Sequence, residues 1–407
     1  MNKIFNTTLL LMLLLSLSIS GLSAQTACTE VGPGDFRDPT TGGPCVNTVV
    51  SAVPFLRITP DARSGAMGDA GLALSADANA IHFNASRLAF AEEDLSMSAT
   101  YTPWLQALGL NDVYLAYLSG YKKLDDLQAV GVSLRYFSLG DIQYTDENAQ
   151  PLGTGKPNEF EIAAAYARKL SDRFSGSLTL KYINSNLAAG QQVGSEILEV
   201  GQSFAGDIGL TYRNDRIRTK GGRTNAFAMG LSISNIGAKI TYTQDTIRDF
   251  LPANFGLGAA YTFELDEYNK ITLTGDLNKL LVPTPCQGVD CDQDERNDQS
   301  PIAAIASSWS DAPGGFDEEL REFTFSVGAE YWYDNQFAVR AGYFYEDASK
   351  GGRQYLTAGL GLKYNIFGLN FSYLVPTSNQ RNPLDNTLRF SLLFDFGATD
   401  TAETSRR

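Results

Sequence analysis

The sequence predicts an all-β fold, a transmembrane antiparallel β-barrel of about fourteen strands, the even count that a single-chain bacterial barrel requires. Three observations carry this: strand-length runs with one apolar and one polar face, connections that alternate between long and short, and tyrosines near strand ends. Averaged composition conceals it. A hydrophobic fraction of 43% looks like a soluble protein, but a barrel shows lipid only every second residue and scores low on any averaged scale.

The chain opens with Lys3, an apolar run from Leu9 to Leu15 and a small-residue exit, Leu22-Ser23-Ala24, before Gln25. That is the layout of a secretory signal peptide, too short in its apolar core to span a membrane as a helix. The expected organisation is a signal peptide at 1–24, an amino-terminal segment at 25–91, the barrel at 92–397 and a tail at 398–407. Cys28 lacks the preceding apolar residue of an acylation site, so lipidation is disfavoured. The four cysteines, Cys28, Cys45, Cys286 and Cys291, are an even, sparse set in an exported chain and favour disulfides over thiol chemistry. Cys286 with Cys291 would staple one loop and Cys28 with Cys45 the amino terminus, although four cysteines allow three pairings.

Residues 62 to 89, ARSGAMGDAGLALSADANAIHFNASRLA, follow neither a strand nor a helix period. Their small side chains suit a segment folded tightly inside a wall. Gly65, Gly68 and Gly71 form a loose glycine triplet, but no strand leads into it and no βαβ unit surrounds it, so a dinucleotide site is excluded.

The strands follow. In the last one, Leu388, Phe390, Leu392, Phe394 and Phe396 share one face, and Arg389, Ser391, Leu393 and Asp395 share the other. Phe323, Phe325, Val327, Ala329, Tyr331 and Tyr333 oppose Thr324, Ser326, Gly328, Glu330, Trp332 and Asp334 in the same way. Phe204, Gly206, Ile208, Leu210 and Tyr212 oppose Ala205, Asp207, Gly209 and Thr211. A sandwich would bury the apolar face, whereas a membrane barrel turns it to lipid. Long connections at 138–158, 186–202, 237–252 and 283–320 alternate with short ones at 171–173, 334–336 and around Asn365. Extended outer loops and tight periplasmic turns have this asymmetry, which places both ends of the barrel in the periplasm. Inward charges such as Arg135, Lys181, Asp207, Asp276, Glu330 and Arg389 are expected to pair with one another or with Arg57, Asp61, Arg63 and Asp69, because an unpaired charge away from water is costly.

Chemistry is sparse. Asp290, Asp292 and Asp294 lead into Glu295 where a calcium-binding helix-loop-helix site needs Gly, and Pro301 stands where its last Glu would be. A net charge of −14 argues against nucleic acid. His82 is the single histidine, so a zinc site built from several histidines is excluded and a histidine-dependent hydrolase would have to use this one residue. No catalytic, metal or cofactor site is expected.

These residues carry a resemblance. The run Phe55-Leu56-Arg57-Ile58, then DARSGAMGDAG from Asp61 and DANAIHFNASRL from Asp77, resembles the amino-terminal hatch of barrels similar to the FadL fatty-acid transporters. More closely, it resembles that of the PorV family, also called LptO, of the type IX secretion system. GLSISNIGAKITY from Gly230 and YTPWL from Tyr101 resemble the same family, and the likeness runs from about Val53 to Phe396. Ala85 stands where FadL-type proteins more usually carry proline. The resemblance implies a fourteen-stranded barrel with an internal hatch whose residues include Arg57, Asp61, Arg63, Gly65, Gly68, Asp69, Gly71, His82 and Asn84. It also implies a non-enzymatic role in protein secretion. Such a protein binds the carboxy-terminal signal domain of exported cargo and carries it from a SprA-like translocon channel to an attachment complex with a PorU-like sortase. Outer-membrane lipid is the remaining partner. The rivals are a PorQ-like role, FadL-like transport of hydrophobic small molecules, and a lipid deacylase, against which the single histidine counts.

Overall fold

A computed structural model of the chain describes residues 29–32, 35–37, 46–105, 110, 112–145, 150–193, 196–218, 223–243, 248–286, 293–377 and 387–397. The wall is made of β1 (Leu95–Pro103), β2 (Val113–Lys123), β3 (Gln128–Leu139), β4 (Asn158–Lys169), β5 (Phe174–Asn186), β6 (Gly201–Arg218) and β7 (Thr224–Gly237). It continues through β8 (Asn254–Glu264), β9 (Asn269–Leu280), β10 (Thr324–Tyr333), β11 (Phe337–Tyr345), β12 (Gln354–Tyr364), β13 (Phe367–Pro376) and β14 (Leu388–Phe396). Each pairs antiparallel with its neighbours, and β14 meets β1 with Phe390 opposite Tyr101 and Phe396 opposite Leu95, so the fourteen strands close on themselves. Closure leaves no unpaired edge, the condition for a sheet to cross a bilayer.

Burial is inverted relative to a soluble domain. Phe390 and Leu392 are 44% and 39% exposed, whereas Arg389 and Ser391 between them are 1% and 0% exposed. The same inversion sets Phe325 and Val327 outside with Ser326 and Glu330 inside, and Phe204 and Ile208 outside with Asp207 inside. The outward apolar band is bounded by rings of aromatics. At the long-loop end Tyr101 meets Tyr114, Tyr114 meets Tyr136, and Phe160, Tyr182 and Phe204 follow in successive contact. At the short-turn end Phe174, Tyr212, Phe227 and Tyr261 form a corresponding chain. Two such levels are the girdles expected at the two interfaces of a membrane barrel.

The connections obey the expected alternation. Links at 124–127, 170–173, 265–268, 334–336 and 365–366 are short, and those at 140–157, 187–200, 238–253 and 281–323 are long. The 140–157 link contains a hairpin of Ile142–Thr145 and Pro151–Gly155. The 281–323 link contains three helices, α1 (Gln293–Asp298), α2 (Pro301–Ser307) and α3 (Phe316–Arg321).

The amino-terminal segment fills the lumen. Both ends of the wall lie at the short-turn end, but the segment leading into β1 starts at the opposite one. The Asn47 amide donates to Ser349 O at 2.8 Å, in the 346–353 link at that end, and the Ala52 amide to Phe250 O at 2.9 Å, in the 238–253 link. At the other end Glu93 meets Lys363, and Tyr121 donates to Glu93 O at 3.2 Å. Residues 46–94 therefore thread the barrel from the long-loop end to the short-turn end. The hatch crosses the lumen once before the first strand begins. Residues 1–28 and 398–407 lie outside the described residues.

Candidate functional site

The hatch is built from short pieces because its side chains are too small to bury a long helix face. Asp61 caps the turn Ala62–Gly65 by accepting from the Ser64 amide at 2.8 Å. Asn84 accepts from the Ser86 amide at 3.2 Å and donates to Leu210 O and Thr211 Oγ1 at 3.0 and 3.1 Å, so one side chain caps the hatch and ties it to β6. Small residues recur on both surfaces. Gly68 has a φ of +67°, which favours glycine, and a Cβ there would meet the Tyr343 backbone. Opposite it, a Cβ at Gly342 would collide with the backbone of Met67 and Gly68. Hatch and wall thus touch backbone to backbone, an approach that larger residues would prevent.

Charges lock this contact. Arg63 reaches Glu330 at 2.8 Å and Asp77 at 3.0 Å, and Arg340 shares the same Glu330 at 2.7 Å. Asp69 lies 3.6 Å from Arg389 and accepts from the Tyr355 hydroxyl at 2.5 Å. Lys181 and Asp207 pair at 2.8 Å within the wall. Two expected charges are satisfied otherwise. Arg135 donates to the carbonyls of Phe55 and Leu56 at 3.0 and 2.8 Å and meets His82 Nδ1. Asp276 accepts from the amides of Gly71 and Leu72 at 2.6 and 2.9 Å. Arg57 lies 3.9 Å from Glu346 at the long-loop end, and Gly65 packs against the Arg389 side chain. Asp61 makes its contacts to the Ser64 amide and, among the described residues, no ion pair within 4 Å.

The two larger spaces left in the lumen carry charged and polar side chains, and a smaller one beside Ala73, Leu74 and Phe227 is mostly apolar. A cavity of about 120 Å³ on the long-loop side is lined by Arg57, Asp69, His82, Asn235, Asp276 and Tyr355 among others. A vestibule of about 750 Å³ at the short-turn end is ringed by Arg63, Glu93, Arg213, Glu264, Lys363 and Asp395 with their neighbours. Neither resembles the apolar conduit that a hydrophobic solute needs.

The second candidate surface is the platform made by the 281–323 loop, whose anchoring was not legible from the sequence. Three glutamates of α3 and its end turn inward. Glu319 meets Lys279 at 2.9 Å, Glu322 meets Lys350 at 2.9 Å and also Lys279, and Glu318 meets Lys350 at 2.5 Å. Asn47 donates to Glu318 Oε1 at 3.0 Å, joining the amino-terminal segment to this clamp. Burial alone would raise the Glu318 carboxyl, but Lys350, the Gly314 amide and Asn47 outweigh it and hold it below the ordinary glutamate range. Cys286, at the start of the loop, is disulfide-bonded. Cys28, Cys45 and Cys291 lie outside the described residues.

Comparison with known proteins follows this geometry. The family model described as "Type IX secretion system protein PorV" matches residues 45–287. No curated protein matches the chain. Among solved structures, the Ralstonia pickettii toluene transporter TbuX aligns at 12% identity over 83% of this chain and 98% of its own, with a TM-score of 0.47. The Pseudomonas putida toluene transporter TodX aligns at 13% identity over 82% and 98%, with a TM-score of 0.45. A Pseudomonas aeruginosa FadL homologue aligns at 10% identity over 86% and 100%, with a TM-score of 0.43. None of these structural likenesses bears on function.

Proposed function

The chain belongs to the PorV family of type IX secretion system proteins, and from that premise we propose that this outer-membrane barrel is a carrier of exported cargo. In this reading it binds the carboxy-terminal signal domain of a secreted protein at a SprA-like channel. It then delivers that protein to an attachment complex containing a PorU-like sortase. The long loops face the cell exterior and the short turns the periplasm. The division into a signal peptide at 1–24, a hatch segment at 25–91, a wall at 92–397 and a tail at 398–407 belongs to the same reading.

The observation that most supports carriage over conduction is the threaded lumen. Residues 46–94 occupy the barrel from end to end, and the two larger cavities beside them carry charged side chains in their linings. A molecule so filled has its outer surface, rather than a pore, to offer a partner, and loops on a rigid scaffold are where recognition usually resides. The family is not known for enzymes, and His82, with Arg135 against its ring nitrogen, has a packing role.

The experiment is deletion of the gene in its own bacterium, followed by analysis of surface cargo. Loss of secretion and anchoring, restored by the wild-type gene, is the expected result. Cargo still secreted and anchored would sink the proposal. Hydrophobic small molecules co-purifying inside the barrel, with secretion untouched, would establish transport instead.

A further inference from the structure

The helix Phe316–Arg321 is amphipathic in the wrong direction for a surface loop. Its glutamates, Glu318 and Glu319, are buried against Lys350 and Lys279, while Phe316 and Leu320 are 75% and 50% exposed. Phe316 and Leu320 are four residues apart and share one face of the helix. Ile302, on the Pro301–Ser307 helix of the same loop, is 76% exposed. Large apolar side chains placed in water while charged ones are anchored beneath them mark a surface that a partner covers.

We propose that this face is the docking surface for a folded protein domain with basic character. On the cargo-carrier reading, upon which this inference rests, that domain is the cargo's carboxy-terminal signal domain. Charge selects the occupant. Between residues 281 and 323 the chain has ten carboxylates and two arginines; Lys279 and Lys350 hold three of the ten, and the other seven still outnumber the arginines. Asp317 is exposed next to Phe316 on the helix, and Asp298 is exposed at the end of α1 in the same loop. Such a field attracts a basic partner, steers its approach and repels an anionic membrane surface. The lysine clamp holds the helix in place before the partner arrives, which lowers the ordering cost of association.

The test uses the full chain in lipid nanodiscs and, as the probe, the fluorescently labelled carboxy-terminal signal domain of one protein exported by the same bacterium. Replacing both apolar residues, Phe316→Ser with Leu320→Ser, should weaken binding about tenfold. Asp317→Lys should weaken it as well, and wild-type binding should fall as NaCl is raised from about 0.05 to 0.5 M. All three positions are exposed, so retention of the heat-modifiable gel shift confirms that the barrel is intact.

Wild-type affinity in the serine variant, or binding indifferent to both salt and Asp317→Lys, would overturn the docking surface while leaving the carrier reading standing. Failure of the wild-type chain to bind any such domain would overturn the carrier reading itself, and the docking surface with it. A Phe316→Trp variant quenched by brominated lipid in the nanodisc would assign the face to the membrane and overturn the proposal.

Discussion

The hatch and the 281–323 loop are both irregular segments held on the same wall, yet they are held by different physics. The hatch is fixed by proximity: Gly68 lies on the Tyr343 backbone, Gly342 lies on Met67, and a few guanidiniums and carboxylates close the gaps. The loop is fixed by charge: Lys279 and Lys350 grip Glu318, Glu319 and Glu322 while the apolar residues stay outside. Close packing seals a lumen, whereas a clamp from below holds a surface out to be touched. One barrel thus holds one segment inside its wall by close contact and another above it by charge.

The largest break in this contrast comes from the shared carboxylate of the hatch. Glu330→Ala leaves Arg340 buried without a carboxylate and Arg63 with Asp77 alone, and should cost about 3–5 kcal/mol, read as a lowered urea midpoint in detergent. Next is Gly342→Val, where the obstructing atoms are backbone and cannot swing aside. It should cost about 1–3 kcal/mol and unseat the hatch, with increased uptake of large antibiotics by the intact cell. Glu318→Gln keeps the shape of the clamp and removes one charge, an effect of about 1–2 kcal/mol confined to the loop. Faster trypsin cleavage at Arg321, with an unchanged barrel midpoint, is the expected signature.

The smallest effect is a dependence on pH. Because Glu318 is held below its ordinary range, its contribution is complete above the unfolded glutamate value of about 4.3 and is lost as pH falls through the lower folded value. Glu346 behaves likewise. Burial raises it, but Arg353 and Arg57 outweigh that and draw it down. Asp311, which burial pushes up, acts in the opposite sense and is relieved first on acidification. Cleavage by an acid-active protease should therefore rise in the loop below the ordinary glutamate range and stay low in the hatch.

The wall was legible because its information is periodic. Alternation in Leu388–Phe396 places Arg389 inside and Phe390 outside without knowledge of any contact. Three of the interior pairs were accessible to the same reasoning, since Lys181, Glu330 and Arg389 each needed an opposite charge and found one in Asp207, Arg63 and Asp69. Arg135 and Asp276 were not, because carbonyls and amides satisfy them and every residue carries those groups. The clamp was hidden for another reason. Glu318 and Lys350 stand far apart in sequence on separate loops, and a loop has no period to register them. The threading was hidden most fully, since it is a property of the path rather than of any residue.

That path makes the molecule mechanically one-sided. The hatch is joined covalently to the wall at its short-turn end, where Asp94 runs directly into β1, and towards the long-loop end it is held by hydrogen bonds, from Arg135 to the Phe55 and Leu56 carbonyls and from Asn47 to Ser349 O and Glu318. Tension applied near Asn47 from outside draws the thread taut against its knot, as a cork is seated by pulling on a string passed through the bottle. Tension applied near Glu93 from within would load the same contacts from the opposite end, beginning with those of Glu93 to Lys363 and Tyr121.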